Sequence, residues 1–253
     1  MIFDAIDHWR VRPQKMGIRK TLVKSYDRII DKVDLILMVS PAPRTCLSIG
    51  RTNVYWLPNG ADIEFSKQPR RITVELAKTP RPIILYVGKL QKQIDVNILS
   101  GIASNCPQSS LVLVGPIVTP PYFQPLKRFS NTHFLGRKPH NDIAAFIQHA
   151  DVCILPHMQP NFTMSMNPLK LCEPLAARKQ VVATSINGHE EFAGILRFAS
   201  TPEEFINLVD EALKPKPTIA GTNKVHFINK CAWKQRIGSI LVLLTVRLGK
   251  MTA

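Results

Sequence analysis

Ile83-Ile84-Leu85-Tyr86-Val87-Gly88 decides the fold class of this chain. Its apolar residues run without polar alternation and stop at a glycine. Such a run suits a strand covered on both faces. The form recurs downstream. Leu111-Val112-Leu113-Val114 stops at Gly115, Thr132-His133-Phe134-Leu135 at Gly136, and Val152-Cys153-Ile154-Leu155 at Pro156. Helical patterns at 96–103 and 141–149 separate them. A helix opening on Pro168, the strand Val181-Val182-Ala183 and helices over 203–213 and 233–248 follow. Alternation of this kind predicts an α/β fold with a parallel, doubly wound sheet. Ligands of such sheets lie beyond the carboxyl ends of the strands. The loops after Gly88, Gly115, Gly136 and Pro156 would therefore line one cleft.

Upstream, Ile2 to Asp7 reads as a strand and 21–33 as a helix, with Leu22, Tyr26, Ile29, Ile30 and Val33 at helical spacing. Leu35 to Val39 is a short buried-strand run, and Ser40-Pro41 caps a helix to about Ile49. Val54 to Leu57 is a third strand, ended by the turn Pro58-Asn59-Gly60. Residues 66–81 are basic, proline-bearing and without strong period, and are predicted to be a linker.

Lys and Arg number 33 against 18 Asp and Glu, a formal net charge of +15. That field favours anionic partners: phosphorylated ligands, nucleic acid or an acidic membrane. The basic residues are spread along the chain, and none of the usual nucleic-acid motifs occurs, so no nucleic acid is expected. The five cysteines (Cys46, Cys106, Cys153, Cys172 and Cys231) are widely spaced, which argues against a disulfide framework or a zinc site and fits a reducing cytoplasm. No signal pattern opens the chain. The most apolar run, Ile237 to Leu248, is short of the ~20 residues a bilayer span needs and reads as a buried or membrane-surface helix.

The stretch Met166-Asn167-Pro168-Leu169-Lys170-Leu171-Cys172-Glu173-Pro174 carries the chemistry. A polar loop, 160–167, runs into a proline, a residue favoured at the first helical position. A helix start offers free N–H groups and the positive end of the macrodipole, which suits a phosphate. Lys170 and Glu173 lie three apart, on one helix face. Cation, amides and carboxylate together could hold a sugar nucleotide. The same spacing also fits an ordinary amphipathic helix with two solvated charges. Likewise, Lys89 could be a surface lysine and Asp95 an N-cap. His140 and His157 receive no chemical role, and Cys153 and Cys172 read as small buried residues.

Taken in order, Pro58-Asn59-Gly60-Ala61-Asp62, Leu85-Tyr86-Val87-Gly88-Lys89-Leu90, Val112-Leu113-Val114-Gly115-Pro116, Phe134-Leu135-Gly136-Arg137, Ala150 to Pro156, Met166 to Lys179 and Val181 to Thr184 resemble the retaining GT-B glycosyltransferases of families 1 and 4. The bacterial group of teichuronic acid and other surface-polysaccharide biosynthesis is the most similar in flavour. The resemblance covers roughly residues 1–240. It implies one complete Rossmann-like domain plus the C-terminal part of a second, hence an N-terminally truncated chain. The implied divisions are a partial acceptor-side domain at 1–65, a linker at 66–81, a nucleotide-sugar domain at 82–222 and a C-terminal helix, 223–253, crossing back toward the first.

The resemblance also implies roles. Of the family's two donor glutamates, the second matches Glu173, on the ribose hydroxyls, and the first falls on Ser165, a departure. Of two diphosphate cations, the first matches Lys89, after Gly88, and the second falls on Ile94, with Lys92 or Lys170 as substitutes. Asn167 to Leu169 would offer backbone amides, and Gly136, Arg137 and Lys138 would meet the base, largely through backbone. From the residues themselves, Asp4, Asp7 and His8 follow the first strand and could face the cleft, with Asp7 and His8 the candidates for an acceptor-side base or for orienting the sugar hydroxyl; a plain turn fits them equally well. Pro174 replaces an aromatic residue, and a mid-helix proline removes a hydrogen bond. Arg178 replaces a glycine at a position suited to a left-handed residue. The implied activity is transfer of a hexose from a UDP- or GDP-sugar to a polysaccharide or lipid-linked acceptor, in the cytoplasm or peripherally on the inner membrane face. An anionic membrane surface would be a further partner. No cofactor is implied, and the absence of a D-x-D or histidine cluster argues against a metal. The alternatives are an inactive nucleotide-sugar-binding remnant, a sugar-nucleotide epimerase of the same fold, and a basic nucleic-acid binder.

Overall fold

The computed structural model describes residues 1–5, 19–39, 51–158, 169–185, 192, 194–214 and 222–251. The expected helix at 40–49, the catalytic candidates Asp7 and His8, and the loop residues Ser165 and Asn167 lie outside the described residues.

Two parallel sheets organise the chain. In the first, β1 (Ile2–Ala5), β2 (Leu35–Met38) and β3 (Val54–Trp56) pair in the order β1-β2-β3. Helix α1 (Arg19–Lys32) packs Tyr26 and Ile30 against Ala5, Ile36, Met38 and Val54. Phe3 meets the Tyr26 ring edge-on at 5.4 Å. Polar ties close this unit. Asn53 donates to the Val33 carbonyl at 3.0 Å, and Arg51 to the Ile30 carbonyl at 3.0 Å while pairing with Asp31.

The second sheet has six strands: β4 (Ile83–Val87), β5 (Ser110–Val114), β6 (Thr132–Gly136), β7 (Val152–Leu155), β8 (Gln180–Thr184) and β9 (Phe198–Ala199). Their order is β6-β5-β4-β7-β8-β9, all parallel. The direction of winding reverses between β4 and β7, so the switch point lies between their carboxyl ends. Helices α4 (Val96–Asn105), α5 (His140–His149) and α7 (Pro202–Leu213) flank the sheet. Each central strand is buried on both faces, as runs without alternation require; Ile83 to Leu85 and Leu111 to Val114 are at most 1% exposed. Burying such a side chain stabilises the fold by about 1.5–3 kcal/mol. A 3₁₀ segment, Pro120–Arg128, and the two-residue β9 are elements with no signature in the sequence reading.

The stretch 66–81 is docked rather than free. Helices α2 (Ile63–Lys67) and α3 (Val74–Ala77) bury Ile63 and Leu76 in the core of the large sheet. Gln148 donates to the carbonyls of Ser66 and Gln68 at 2.9 and 2.7 Å and accepts from the Arg70 amide at 2.9 Å. Periodicity missed this because each helix is about one turn long and is held by side chains remote in sequence.

The helix expected to open on Pro168 takes another form. Leu169–Leu171 is a 3₁₀ turn, and α6 starts afresh at Cys172 and ends at Ala176. Pro174 is thereby the third residue of α6, where an N–H has no helical acceptor, and the proline costs no hydrogen bond. At the far end Lys179 N bonds the Pro174 carbonyl at 2.9 Å and Arg178 N the Leu175 carbonyl at 3.0 Å, a Schellman closure. Arg178 accordingly sits at φ 59°, the left-handed region that glycine occupies at low cost. Helices α8 (Thr222–Lys230) and α9 (Trp233–Met251) complete the chain.

Arg178→Gly is expected to stabilise the protein by about 1 kcal/mol, since a non-glycine residue in the left-handed region costs roughly 1–2 kcal/mol and glycine recovers part of that against its own entropy. Urea titrations of the two chains check it; a lower midpoint for the glycine variant would contradict the assignment. Gly115→Ala, at φ 142° and with its added Cβ driven into the Gly88 carbonyl oxygen, is expected to lower stability by at least about 2 kcal/mol in the same measurement.

Candidate functional site

The cleft opens at the switch point. Leu85 and Val87 of β4, Gly88 after it, Cys153 to Leu155 of β7, and Lys170, Leu171, Glu173 and Pro174 line a space of about 210 Å³, with His140 and Ile143 of α5 on one flank. Its floor is apolar and its polar groups converge from two segments far apart in sequence.

The backbone of the strand ends shapes it. Gly88 and Gly115 have φ of 149° and 142°, and Gly88 N bonds the Val114 carbonyl at 2.8 Å while Gly115 N bonds that of Gly136 at 2.8 Å. A Cβ on Gly115 would collide with the Gly88 carbonyl, and one on Gly88 with the Lys170 ammonium. Glycine at both positions lets β4 and β5 turn side by side and leaves room above Gly88 for a cation.

Lys170 occupies that room. Its Nζ lies 5.3 Å over the Tyr86 ring and donates to Tyr86 Oη at 3.4 Å; Tyr86 Oη in turn donates to the Lys89 carbonyl at 3.1 Å. Tyr86 is fully buried, and burial pushes its phenol upward. Lys170 is exposed over the residue as a whole, while its ammonium is crowded by Tyr86 and the Gly88 backbone. That desolvation, with repulsion from Lys89 and a smaller opposing pull from Glu173, brings the ammonium down to about 8. Lys89 is exposed on the loop after Gly88. Neither lysine has an ion-pair partner among the described residues.

Glu173, the second residue of α6, lies in the cleft beside His140. Partial burial raises its carboxyl first of all; His140 and Lys170 pull it back down, while Asp62 adds to the rise. Asp62 caps α2 by accepting from Phe65 N at 2.9 Å, and the Phe65 ring stacks on His140 at 5.1 Å and 9°. The Pro58 to Asp62 turn and its helix thus form the wall that faces Glu173.

The remaining candidates divide. Leu169 opens the 3₁₀ turn. Gly136, at φ 66°, ends β6, and Arg137 beyond it is exposed. Lys138 is committed to Glu75 at 2.5 Å, a bond that holds the Glu75 carboxyl below its usual range, so this loop presents its backbone and Arg137 rather than Lys138. Ile94 is 1% exposed and part of the core, so an apolar side chain fills the position of the second expected cation; Lys92 is exposed. Asp95 is an N-cap, accepting from Asn97 N at 2.8 Å and Ile98 N at 3.3 Å. Asp4 lies in β1, paired in register with Leu37.

His157 is a residue the sequence reading left aside. It follows Pro156 at the end of β7, is 5% exposed, and its backbone N–H bonds Thr184 Oγ1 at 3.0 Å. Its Nδ1 has no hydrogen-bond partner among the described residues. Burial, with repulsion from Lys170, pulls the imidazole down to about 3, so it is neutral at physiological pH. No sequence pattern marks it; only the packing of β7 against the loop after β4, where Ile94 pairs with His157, places it beside the cleft.

Comparisons with known proteins bear on the fold and the family. The chain is 28% identical over 200 residues to a Bacillus subtilis (strain 168) protein whose name assigns it to teichuronic acid biosynthesis as a glycosyltransferase, TuaH; the alignment takes in 74% of this chain and 50% of the relative. The chain therefore spans about half the length of the curated relative it matches. Among solved structures, Anabaena Alr3699/HepE in complex with UDP and glucose superposes with a TM-score of 0.65 at 18% identity, over 100% of this chain and 71% of that one. Sucrose-phosphate synthase (tll1590) from Thermosynechococcus elongatus gives a TM-score of 0.71 at 17% identity, over 97% of this chain and 68% of that one. These likenesses place the fold among the GT-B glycosyltransferases. The model of the family described as Glycosyl transferases group 1 matches residues 81–214, from the lead-in to β4 to the end of α7. That span contains the whole six-stranded sheet and the cleft from Gly88 to Glu173, and by it the chain belongs to the group 1 glycosyl transferases.

Proposed function

We propose that the cleft binds the diphosphate of a UDP- or GDP-sugar and that the protein transfers the hexose to a polysaccharide or lipid-linked acceptor in cell-surface polysaccharide biosynthesis. The observation that carries this reading is the pair Lys170 and Lys89 beside Gly88, two cations that repel each other and form no ion pair among the described residues. A diphosphate supplies that charge. Its oxygens would take the Lys170 ammonium and the Lys89 side chain. The Glu173 carboxylate would accept the ribose hydroxyls, and the backbone at Gly136 and Arg137 would meet the base. As the glycosidic bond breaks, negative charge grows on the leaving diphosphate, and cations fixed in a partly desolvated cleft stabilise it without reorganising. The transferred hexose would retain its anomeric configuration. The solved complexes of HepE with UDP and with UDP-glucose support a uridine donor, and the name of TuaH supports a surface polysaccharide as product.

A second reading is a chain that holds the nucleotide sugar without turning it over. It is favoured by Ile94, buried where a further diphosphate cation would stand. Release of UDP or GDP from a panel of nucleotide sugars separates the two: turnover supports the transferase, and binding without release supports the second reading.

Calorimetry of UDP and GDP with the full chain is expected to show binding, and absence of heat with both nucleotides would sink the proposal. Lys170→Ala is expected to weaken binding about 10- to 100-fold, the loss of one charge-assisted hydrogen bond worth roughly 1.5–3 kcal/mol. Glu173→Gln is expected to weaken UDP several-fold while leaving inorganic pyrophosphate unaffected; equal losses for both would place the carboxylate elsewhere. The pH dependence follows from Lys170. A lysine drawn down to about 8 is charged below that pH and loses its proton above it, so the anion affinity present at pH 7 should fall as pH rises through 8. Lys170→Arg, charged throughout, should flatten that fall.

A further inference from the structure

Helices α5 and α6 each begin at the cleft, with His140 and Glu173, and end beside a second cavity. It lies between the end of α2, Gln148 on the last turn of α5, and residues 176–179, which close α6. Its volume is about 430 Å³, within the range of small-molecule sites, and none of its lining residues lines the cleft. The neutral polar groups around it are already bonded. Gln148 is used by Ser66, Gln68 and Arg70, and Ser66 Oγ donates to the Asp62 carbonyl at 3.0 Å. The Arg178 and Lys179 amides are taken by the Schellman closure.

What faces the space is positive charge, from Lys67, Arg178 and Lys179. Lys67 pairs with Glu64 at 3.4 Å with both side chains open to water, a contact worth little. Arg178 and Lys179 form no ion pair among the described residues. Asp151, which acts on Lys179, is already held by Arg81 and by the Ile83 amide, each at 2.6 Å. Burial draws the Lys179 ammonium below the usual lysine range, because the cation is short of water. Arg178 holds its φ of 59°, where glycine would be relaxed. Glycine would serve the fold better there, so a strained arginine lining a cavity points to a ligand.

We infer that this cavity binds the phosphate group of a small phosphorylated molecule, with Arg178 and Lys179 on the phosphate oxygens and Lys67 adding charge at the rim. A phosphate monoester brings close to two negative charges and three acceptor oxygens, enough for more than one cation; a carboxylate brings one charge. The planar guanidinium can meet two of those oxygens at once. Pro69, Ala176 and Ala177 offer apolar contact to the rest of the molecule. The inference does not depend on the donor reading, since the two sites share no lining residue.

Melting of the full chain in inorganic phosphate, with chloride holding the ionic strength constant, tests it. The Lys170→Ala chain, whose cleft has lost a cation, isolates the second cavity. It is expected to melt at rising temperature as phosphate is added, since a ligand of the folded state alone stabilises it. Adding Arg178→Gly to that chain should raise the phosphate needed for the same shift at least about tenfold, and so should adding Lys179→Gln. Glycine is the relaxed residue at 178, so a lost response there cannot be put down to a damaged fold. In the parent background Arg178→Gly should keep the UDP affinity. A Lys170→Ala chain that ignores phosphate, or a response that either added variant keeps in full, would overturn the inference. A response seen in the parent and abolished by Lys170→Ala would also overturn it, by assigning the phosphate to the cleft.

Discussion

The close approach of two glycines underlies the rest of the site. Gly88 and Gly115 end neighbouring strands, and the missing Cβ of Gly115 is what lets the Gly88 carbonyl lie where it does. The missing Cβ of Gly88 leaves the space that the Lys170 ammonium fills. A side chain on Gly115 would push the β5 loop away from the β4 loop, and one on Gly88 would displace the ammonium end of Lys170. The backbone is left-handed at neither residue by accident: φ near 140–150° is available to glycine and costly to anything else.

Electrostatics then follows from packing. Lys170 sits over a buried tyrosine, near a second lysine and near a histidine that burial keeps uncharged. The low local dielectric raises the cost of the bare ammonium and equally strengthens any anion brought against it. Glu173 lies within the same field, with its carboxyl raised by burial and lowered by His140 and Lys170.

Much of this was legible from residue order. Strands without alternation, each stopped by glycine or proline, predicted the parallel sheet, and every one of those strands is present with bounds within a residue or two. Lys89, Lys170 and Glu173 were visible as charges at strand and helix ends. The docked helices of 63–77 were not, because their stability comes from Gln148 and from the core rather than from a period of their own. Pro174 and Arg178 looked like defects in one long helix; they are compatible with a 3₁₀ turn, a short helix and a Schellman closure. His157 was passed over because a histidine's environment, not its neighbours in sequence, decides what it does.

The sequence by itself determined the layering and the family, since apolar runs, glycine stops and their order are local properties that dictate which segments can be strands buried on both faces. Only the tertiary structure decided which charges meet. Lys138 finds Glu75 across more than sixty residues and is taken up. Ile94 disappears into the core, and Lys170 arrives over Gly88 from a segment more than eighty residues away. Pairings of that kind depend on distance and burial in three dimensions, which no spacing along the chain encodes.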